Sequence, residues 1–169
     1  NARMLLRAFG VERAVLEEHP ENAGTQFYIL GRLMGNQIIR GRESQAPFQP
    51  VADPGDGTFD AATSHTLRDS PAPFRSFWLG NGGLEVFGRP KSEPFQEVNQ
   101  ADGRTYWVQY FERQRMEWHP DEPDPRYQIL LGLLGNEYRE LLEAYDRGNG
   151  ATILLYDRAG PVNKPQDRC

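Results

Sequence analysis

Apolar positions come in short groups along this chain, and their spacing changes from segment to segment. Between residues 95 and 119, "FQEVN" and "RTYWVQYF" flank "QADG", whose Asp-Gly pair is a hairpin signal. Trp107, Tyr110 and Phe111 favour a strand there. A second reversal near Glu112–Gln114 returns the chain through "RMEWH". These segments predict a small antiparallel meander. In front of it, "SPAPFRSFWLGNGG" predicts one short helix, with Ser70 as N-cap and the Asn-Gly-Gly run as its left-handed stop. "LEVFGRP" then predicts a tight turn, with Gly88 free to take positive φ and Pro90 fixing the exit. Behind the meander, Tyr138, Leu141, Leu142 and Tyr145 recur at helical spacing in "EYRELLEAYDRGNG", and Gly148 or Gly150 ends that helix. "ATILLYDR" predicts a strand, followed by a tail.

The early part of the chain repeats the later part. Sliding the sequence by 100 positions places Glu12–Asn36 on Glu112–Asn136 without a gap, with ten identities in 25 positions. They are Glu12/Glu112, Arg13/Arg113, Glu17/Glu117, His19/His119, Pro20/Pro120, Ile29/Ile129, Leu30/Leu130, Leu33/Leu133, Gly35/Gly135 and Asn36/Asn136. Leu16/Met116, Glu21/Asp121, Phe27/Tyr127 and Met34/Leu134 are conservative pairs. Such repetition marks duplicated supersecondary units. Nothing before Glu12 answers to Thr58–Arg113. The chain therefore reads as residues 1–36, a partial first repeat; 37–57, a Pro- and Gly-punctuated connector; 58–136, a complete second repeat; and 137–169, a C-terminal helix, strand and tail. In the partial unit Arg3–Phe9 reads as a helical turn, Val11–His19 as a strand and Phe27–Leu33 as apolar again. The expected class is α+β: small antiparallel β-meander units with short helices, about one and a half repeats, cut from a longer array.

Composition narrows the function. The chain has 169 residues, 38% of them hydrophobic, with 17 Gly and 13 Pro, which fits many turns and argues against a helical bundle. The formal charge is −5 and no run of Lys or Arg appears, so neither nucleic acid nor an anionic membrane is an expected partner. No apolar stretch approaches the roughly 20 residues of a membrane span. No segment reads as a signal peptide. The single cysteine, Cys169, allows no disulfide framework and no CxxC metal site within one chain. It is expected to be exposed and incidental, or else a cross-link or the edge of a longer chain.

The order "NGGLEVFGRPKSEPFQE" followed by "DGRTYWVQYFERQRMEWHP" resembles a repeat of secreted, often multi-domain bacterial surface proteins, and is similar to the LGFP repeat. That repeat has a Gly-rich helix end, then L-G-x-P, an acidic residue soon after, and a strand hairpin ending in an aromatic. Gly83, Leu84, Gly88, Pro90, Glu93, Phe111 and Trp118 stand at the matching places, with "VFGRP" where the family has "LGFP" or "LGYP". The likeness covers about residues 58–136 and the fragment 12–36. It implies a non-catalytic repeat, secreted or at the cell surface, that associates with the cell wall.

Candidate sites follow from residue types. Glu117 and His119 lie two apart on a predicted strand and share a face, and Glu17 and His19 repeat the arrangement. A carboxylate beside an imidazole can bind metal or do acid–base work. A third ligand at suitable spacing is absent, so the His-Pro corners at Pro20 and Pro120 are expected to be structural, each ring satisfied by a backbone carbonyl. Trp78, Tyr106, Trp107, Tyr110, Phe111 and Trp118 serve as core or as a sugar-stacking platform, with Trp107, Trp118, Tyr106 and Tyr110 the ligand-facing candidates. Asp53, Asp56 and Asp60 sit in a Gly-rich loop that could take calcium but does not match EF-hand spacing. No GxSxG, Walker, HExxH or catalytic-Cys signature occurs, and no cofactor is expected. Carboxylate pairs drawn from Glu93, Glu97, Glu112 and Glu117 carry little weight, because acids are common here. The expected function is a non-catalytic extracellular module that binds cell-wall glycan or anchors a larger protein. The alternatives are a structural subunit of an extracellular assembly, with self-association through unfinished sheet edges, and an accessory domain of a secreted hydrolase.

Overall fold

The computed structural model describes residues 8–10, 12–149, 155–157 and 160–162. In chain order the elements are β1 (Ala8–Gly10), β2 (Val15–Glu18), β3 (Ile29–Gly31), α1 (Met34–Ile38), β4 (Phe59–Asp60), β5 (His65–Thr66), α2 (Phe74–Gly80), α3 (Gly83–Phe87), β6 (Phe95–Val98), β7 (Thr105–Tyr110), β8 (Arg115–Trp118), β9 (Ile129–Leu131), α4 (Leu134–Asn149), β10 (Leu155–Asp157) and β11 (Gly160–Val162). Short helices and small, mostly antiparallel sheets make this an α+β fold. Among the described residues no helix is long and apolar enough to cross a membrane.

Two compact units divide the chain: Leu33–Gly132, and Asn1–Arg32 together with Leu133–Cys169. The two crossing points, 32/33 and 132/133, are equivalent positions of the repeat.

The unit Leu33–Gly132 is built on the meander β6-β7-β8-β9, every pair antiparallel. Asn99–Arg104 makes the first turn, where Gly103 takes φ 72° and donates to the Asn99 carbonyl. Alternation gives the sheet two faces. Phe111, Met116 and Ile129 face one way and pack with Leu67, Ala72, Phe74 and Phe87, while Trp107, Trp118 and Leu131 lie against the same cluster. Val108 and Tyr110 face the other way and pack with Ile39 and Phe48. The Phe48 ring meets Phe95 and Tyr110 edge-on at 5.6 and 5.4 Å. Residues 37–57, expected to be a polar connector, thus supply Ile39 and Phe48 to close one face of the sheet. Two apolar residues without periodicity, in a stretch of Pro and Gly, do not advertise that role.

The predicted single helix is two. α2 ends at Gly80, Gly82 takes φ 104° and Gly83 φ 54°, and α3 follows in place of the expected turn. Gly88 has φ 76°, as its place before Pro90 implies. Ser70 does not cap α2. Pro73 holds the N-cap position and its ring has no hydrogen-bond acceptor to offer. The Asp69 carboxylate accepts from the Ser76 amide and hydroxyl instead, both at 2.7 Å, so an acid upstream satisfies the third helical N–H.

The unit formed by Asn1–Arg32 and Leu133–Cys169 holds a sheet of order β11-β10-β1-β2-β3, antiparallel except where β1 pairs with β10. Phe9, expected in a helical turn, lies in β1, where it is in register with Leu16. Residues 3–7 of that turn lie outside the described residues, as do 151–154 and 158 of the predicted late strand and all of the tail beyond 162. α4 realises the predicted amphipathic helix.

Each unit is closed by a piece that follows the other copy's hairpin. The Asn36 amide donates to the Glu112 carbonyl at 3.2 Å, and the Asn136 amide donates to the Glu12 carbonyl at 3.1 Å. In the first contact Gly35 comes so close that an added Cβ would lie 1.7 Å from the Phe111 carbonyl oxygen. Gly35 is therefore required by this approach. Gly35→Ala is expected to cost about 2–3 kcal/mol by overpacking backbone against backbone. Gly31→Ala, where the added Cβ meets nothing within 4 Å, should change stability little. Urea unfolding of both variants checks this, and equal midpoints would show that the approach is not tight.

Candidate functional site

The Glu-His pairs stand where the strand alternation puts them. On β8 the Glu117 carboxylate is buried; its Oε1 accepts from Arg115 Nε at 3.0 Å and Nη2 at 2.6 Å. Its Oε2 accepts from Asn99 Nδ2 at 2.8 Å and lies 3.4 Å from His119 Nε2. Tyr110, directly opposite Arg115 on β7, completes the group. Its hydroxyl donates to Glu97 Oε2 at 2.7 Å and accepts from Arg115 Nη1 and Arg42 Nη1, each at 3.1 Å. Arg42 Nη2 meets Glu97 Oε1 at 2.6 Å. Two guanidinium groups and two carboxylates thus balance on one face of the sheet, with a phenol between them. Burial, with the Glu97 carboxylate adding to it, pushes the Tyr110 phenol up to about 12 although Arg115 pulls the other way. It stays a neutral donor through the physiological range. Tyr110 is fully buried, so it is not the ligand-facing aromatic expected.

The surface end of this network is His119. Its ring lies 3.8 Å from that of Tyr106, centroid to centroid, and the Tyr106 hydroxyl donates to Asp102 in the hairpin turn at 2.7 Å. That bond raises the Tyr106 phenol and, with the Arg104 amide, lowers the Asp102 carboxyl. The His119 ring is engaged by a carboxylate and an aromatic face, where a backbone carbonyl was expected.

The first copy solves the same problem with its arginine on the other strand. Arg32 Nε and Nη2 meet Glu17 Oε1 at 2.7 and 2.5 Å, and His19 Nε2 lies 3.9 Å from Glu17 Oε2. His19 Nδ1 also faces Glu21 at 2.8 Å. The Arg32 amide donates to Val15, and the Gly132 amide to Arg115, both at 2.8 Å. The directly opposed pair is therefore Val15–Arg32 in one copy and Arg115–Gly132 in the other. Gly132 leaves room for this exchange, because a Cβ there would sit 2.9 Å from Arg115 Nε and Nη2 and push the guanidinium aside.

The remaining expected residues are placed as follows. Trp107 and Trp118 form a directly opposed, half-buried pair on the helix-covered face of the sheet. Trp78 donates to the Gly88 carbonyl at 3.0 Å, and its ring lies over Gly83, where a Cβ would approach to 3.3 Å. Pro90 bridges to Phe111. Gly83, Gly88 and Pro90 thus hold the corner between α3 and the meander. Asp53, Asp56 and Asp60 accept from amides of their own loop, at Gly55, Thr58 and Ala62. Asp56 also pairs with Arg68 at 3.1 Å and Asp60 with Arg89 at 2.7 Å. Among the described residues no group of three or more His, Cys, Asp or Glu is arranged to hold a metal ion. Of the other carboxylates, Glu112 accepts from the Arg89 amide at 3.0 Å. Glu93 accepts from the Thr66 amide at 2.8 Å and hydroxyl at 2.5 Å and lies 3.3 Å from the buried His65 ring.

Two further aromatics stand outside the expected site residues. Phe27 and Tyr127 occupy equivalent positions in the loops that follow the two His-Pro corners, and each is 54% exposed. Both loops close alike, His19 N–H to Tyr28 and His119 N–H to Gln128 at 2.7 Å. The Arg126 guanidinium lies 5.7 Å from the Tyr127 ring centroid and is held by Asp124 at 2.6 Å. The signal was present: an aromatic kept in both copies outside the strand alternation. No family model, no curated protein and no solved structure matches this chain.

Two outcomes test the network. Arg115→Val alone strands Glu117 and is expected to cost about 3–5 kcal/mol. Arg115→Val with Gly132→Arg copies the Val15–Arg32 arrangement and should recover at least half of that in urea unfolding; a double variant no better than the single one rejects the equivalence. The second outcome concerns pH. Burial pushes the Glu93 carboxyl up, but bonds from His65 and Thr66 outweigh it and hold it below its ordinary 4.5. A carboxyl depressed in the folded state lends stability above its unfolded pKa and loses it as pH falls through the folded value. The advantage of wild type over Glu93→Gln should therefore be full above about pH 4.5 and shrink below it, as read by thermal unfolding across pH.

Proposed function

We propose that this chain is a non-catalytic repeat module of a secreted or cell-surface protein, and that it binds cell-wall glycan through the loops carrying Phe27 and Tyr127. The observation that carries the reading is the exposed aromatic held at one equivalent loop position in both copies. Exposed large aromatics contribute nothing to a core, and rings with a polar surround stack on sugar faces. Polar side chains at Glu122, Asp124, Arg126 and Gln128 surround Tyr127 in sequence and are suited to hydroxyl groups. Trp107 and Trp118 are partly exposed and are secondary candidates. The non-catalytic reading is supported by the carboxylates: Glu93, Glu97, Glu112 and Glu117 each accept defined hydrogen bonds from Thr66, Tyr110, Arg89 or Arg115. A carboxylate so occupied serves as an ion-pair or hydrogen-bond partner and is a poor free base.

Co-sedimentation with insoluble peptidoglycan tests the proposal. Saturable pelleting of the full chain is expected. Phe27→Ala and Tyr127→Ala should each weaken it by about tenfold, ~1.4 kcal/mol, with unfolding midpoints near wild type because both rings are exposed. Pelleting that is absent, or indifferent to the double variant, overturns the reading.

A further inference from the structure

The two aromatic loops keep the ring but not its neighbours. In the second copy the Arg126 guanidinium lies over the exposed Tyr127 ring, 5.7 Å from its centroid. That guanidinium is itself held. Its Nε donates to Asp124 Oδ1 and Oδ2 at 3.0 and 3.1 Å, and its Nη2 donates to Oδ2 at 2.6 Å. Asp124 is fixed in turn, because its Oδ1 accepts from the Arg126 amide at 3.0 Å. The Arg126 side chain is nevertheless 79% exposed. Nη1 and the second N–H of Nη2 have no partner among the described residues. An exposed ion pair of this kind adds little to stability. What it does supply is a planar fork whose remaining donors are presented in one place beside a ring. In the first copy Gly24 and Gln26 stand where Asp124 and Arg126 do, so Phe27 has no such fork.

Charge decides what those donors can face. Arg126 holds the Asp124 carboxyl below its ordinary value, so the carboxylate is ionised and offsets the guanidinium at contact distance. Asp121 and Glu122 lie in the same loop, and the chain as a whole is net negative. An anionic ligand therefore gains little from Arg126 and meets like charge around it. A neutral acceptor carries no such penalty. The site left is a set of N–H donors beside an apolar ring face, which suits a carbonyl oxygen with a methyl group next to it. On a sugar, that combination is the N-acyl group of an amino sugar. A plain hydroxyl offers neither the carbonyl nor the methyl.

We propose that the Tyr127 loop selects N-acylated amino sugars, an inference that rests on the glycan reading above. Tyr127 stacks on the sugar, Arg126 donates to the acyl carbonyl, and Asp124 is a positioning residue that aims the guanidinium and cancels its charge. The Phe27 loop stacks without this selection.

The test is co-sedimentation of the full chain with three insoluble polymers that share one β-1,4 backbone: chitin, cellulose, and cellulose oxidised to a carboxylate at C6. Wild type should prefer chitin to cellulose by at least about tenfold, the scale of a lost hydrogen bond to a charged donor. Arg126→Met keeps the apolar stem and removes the donors, so it should lower binding to chitin and leave binding to cellulose unchanged. Phe27→Ala should lower both alike. Asp124→Asn keeps a side-chain oxygen for the Arg126 amide but removes the negative charge, so it should move the preference toward oxidised cellulose, which a merely structural role for Asp124 would not do. Equal binding to chitin and cellulose, no binding to chitin, or a wild-type preference for oxidised cellulose overturns the proposal. If peptidoglycan still pellets the chain in a Tyr127-dependent way, the glycan reading survives that failure; if it does not, both fall together.

Discussion

A carboxylate on a sheet face packed against apolar side chains must be neutralised by a cation held in fixed geometry. Removing one partner leaves an uncompensated buried charge, and that asymmetry makes the pair hard to lose once acquired. Glu117 is such a group, and Glu17 is its half-buried equivalent. Both copies kept the carboxylate, and both reach it with two guanidinium nitrogens on one oxygen. The arginine itself has changed strand. Cross-strand neighbours share a face, so a guanidinium leaving from position 32 or from position 115 can arrive at the same oxygen. The strand that gives up the arginine must then supply a residue that fits beside it, Val15 in one case and Gly132 in the other. The constraint acts on the pair as a chemical object, and neither position alone records it.

The same logic governs how the copies divide into units. The chain crosses between compact units at equivalent points, and each hairpin receives the Gly-Asn start of the helix that follows the other hairpin. Gly35 has no steric alternative at the Phe111 carbonyl. A helix of five residues such as α1 gains little from its own hydrogen bonds, so its position is set by the surface it docks on. Sequence repeat and compact unit are consequently offset, and a division drawn from identities alone falls inside a packed body.

How much of this was legible depended on the range of the signal. The meander could be read from Asp102–Gly103 and the aromatic alternation around Trp107, because turn chemistry and period-2 patterning are local. The His-Glu adjacency was legible for the same reason. The break between α2 and α3 was half legible: Asn81-Gly82-Gly83 announced a stop, but a stop is also a permitted bend when Phe87 can still reach the core. The roles of Ile39 and Phe48 were not legible, since two apolar residues in a Pro- and Gly-rich stretch have no period to reveal them. The burial of Tyr110 was not legible, because an aromatic with a polar tip looks alike in sequence whether it meets a sugar or an internal Glu97 and Arg115. The arginine partners of Glu17 and Glu117 were hidden by the ungapped alignment, which scores Arg32/Gly132 and Val15/Arg115 as two unrelated mismatches.

A duplicated chain carries its own control for what a position is for. Where both copies keep a residue that is buried, as Ile129 is, packing suffices to explain it in that copy. Its twin Ile29 is 43% exposed, so identity between the copies does not by itself mean burial. Where both copies keep an aromatic that is exposed in both, as with Phe27 and Tyr127, no internal cover is missing and packing explains neither. Identity between copies therefore speaks for packing only where the residue is buried in both.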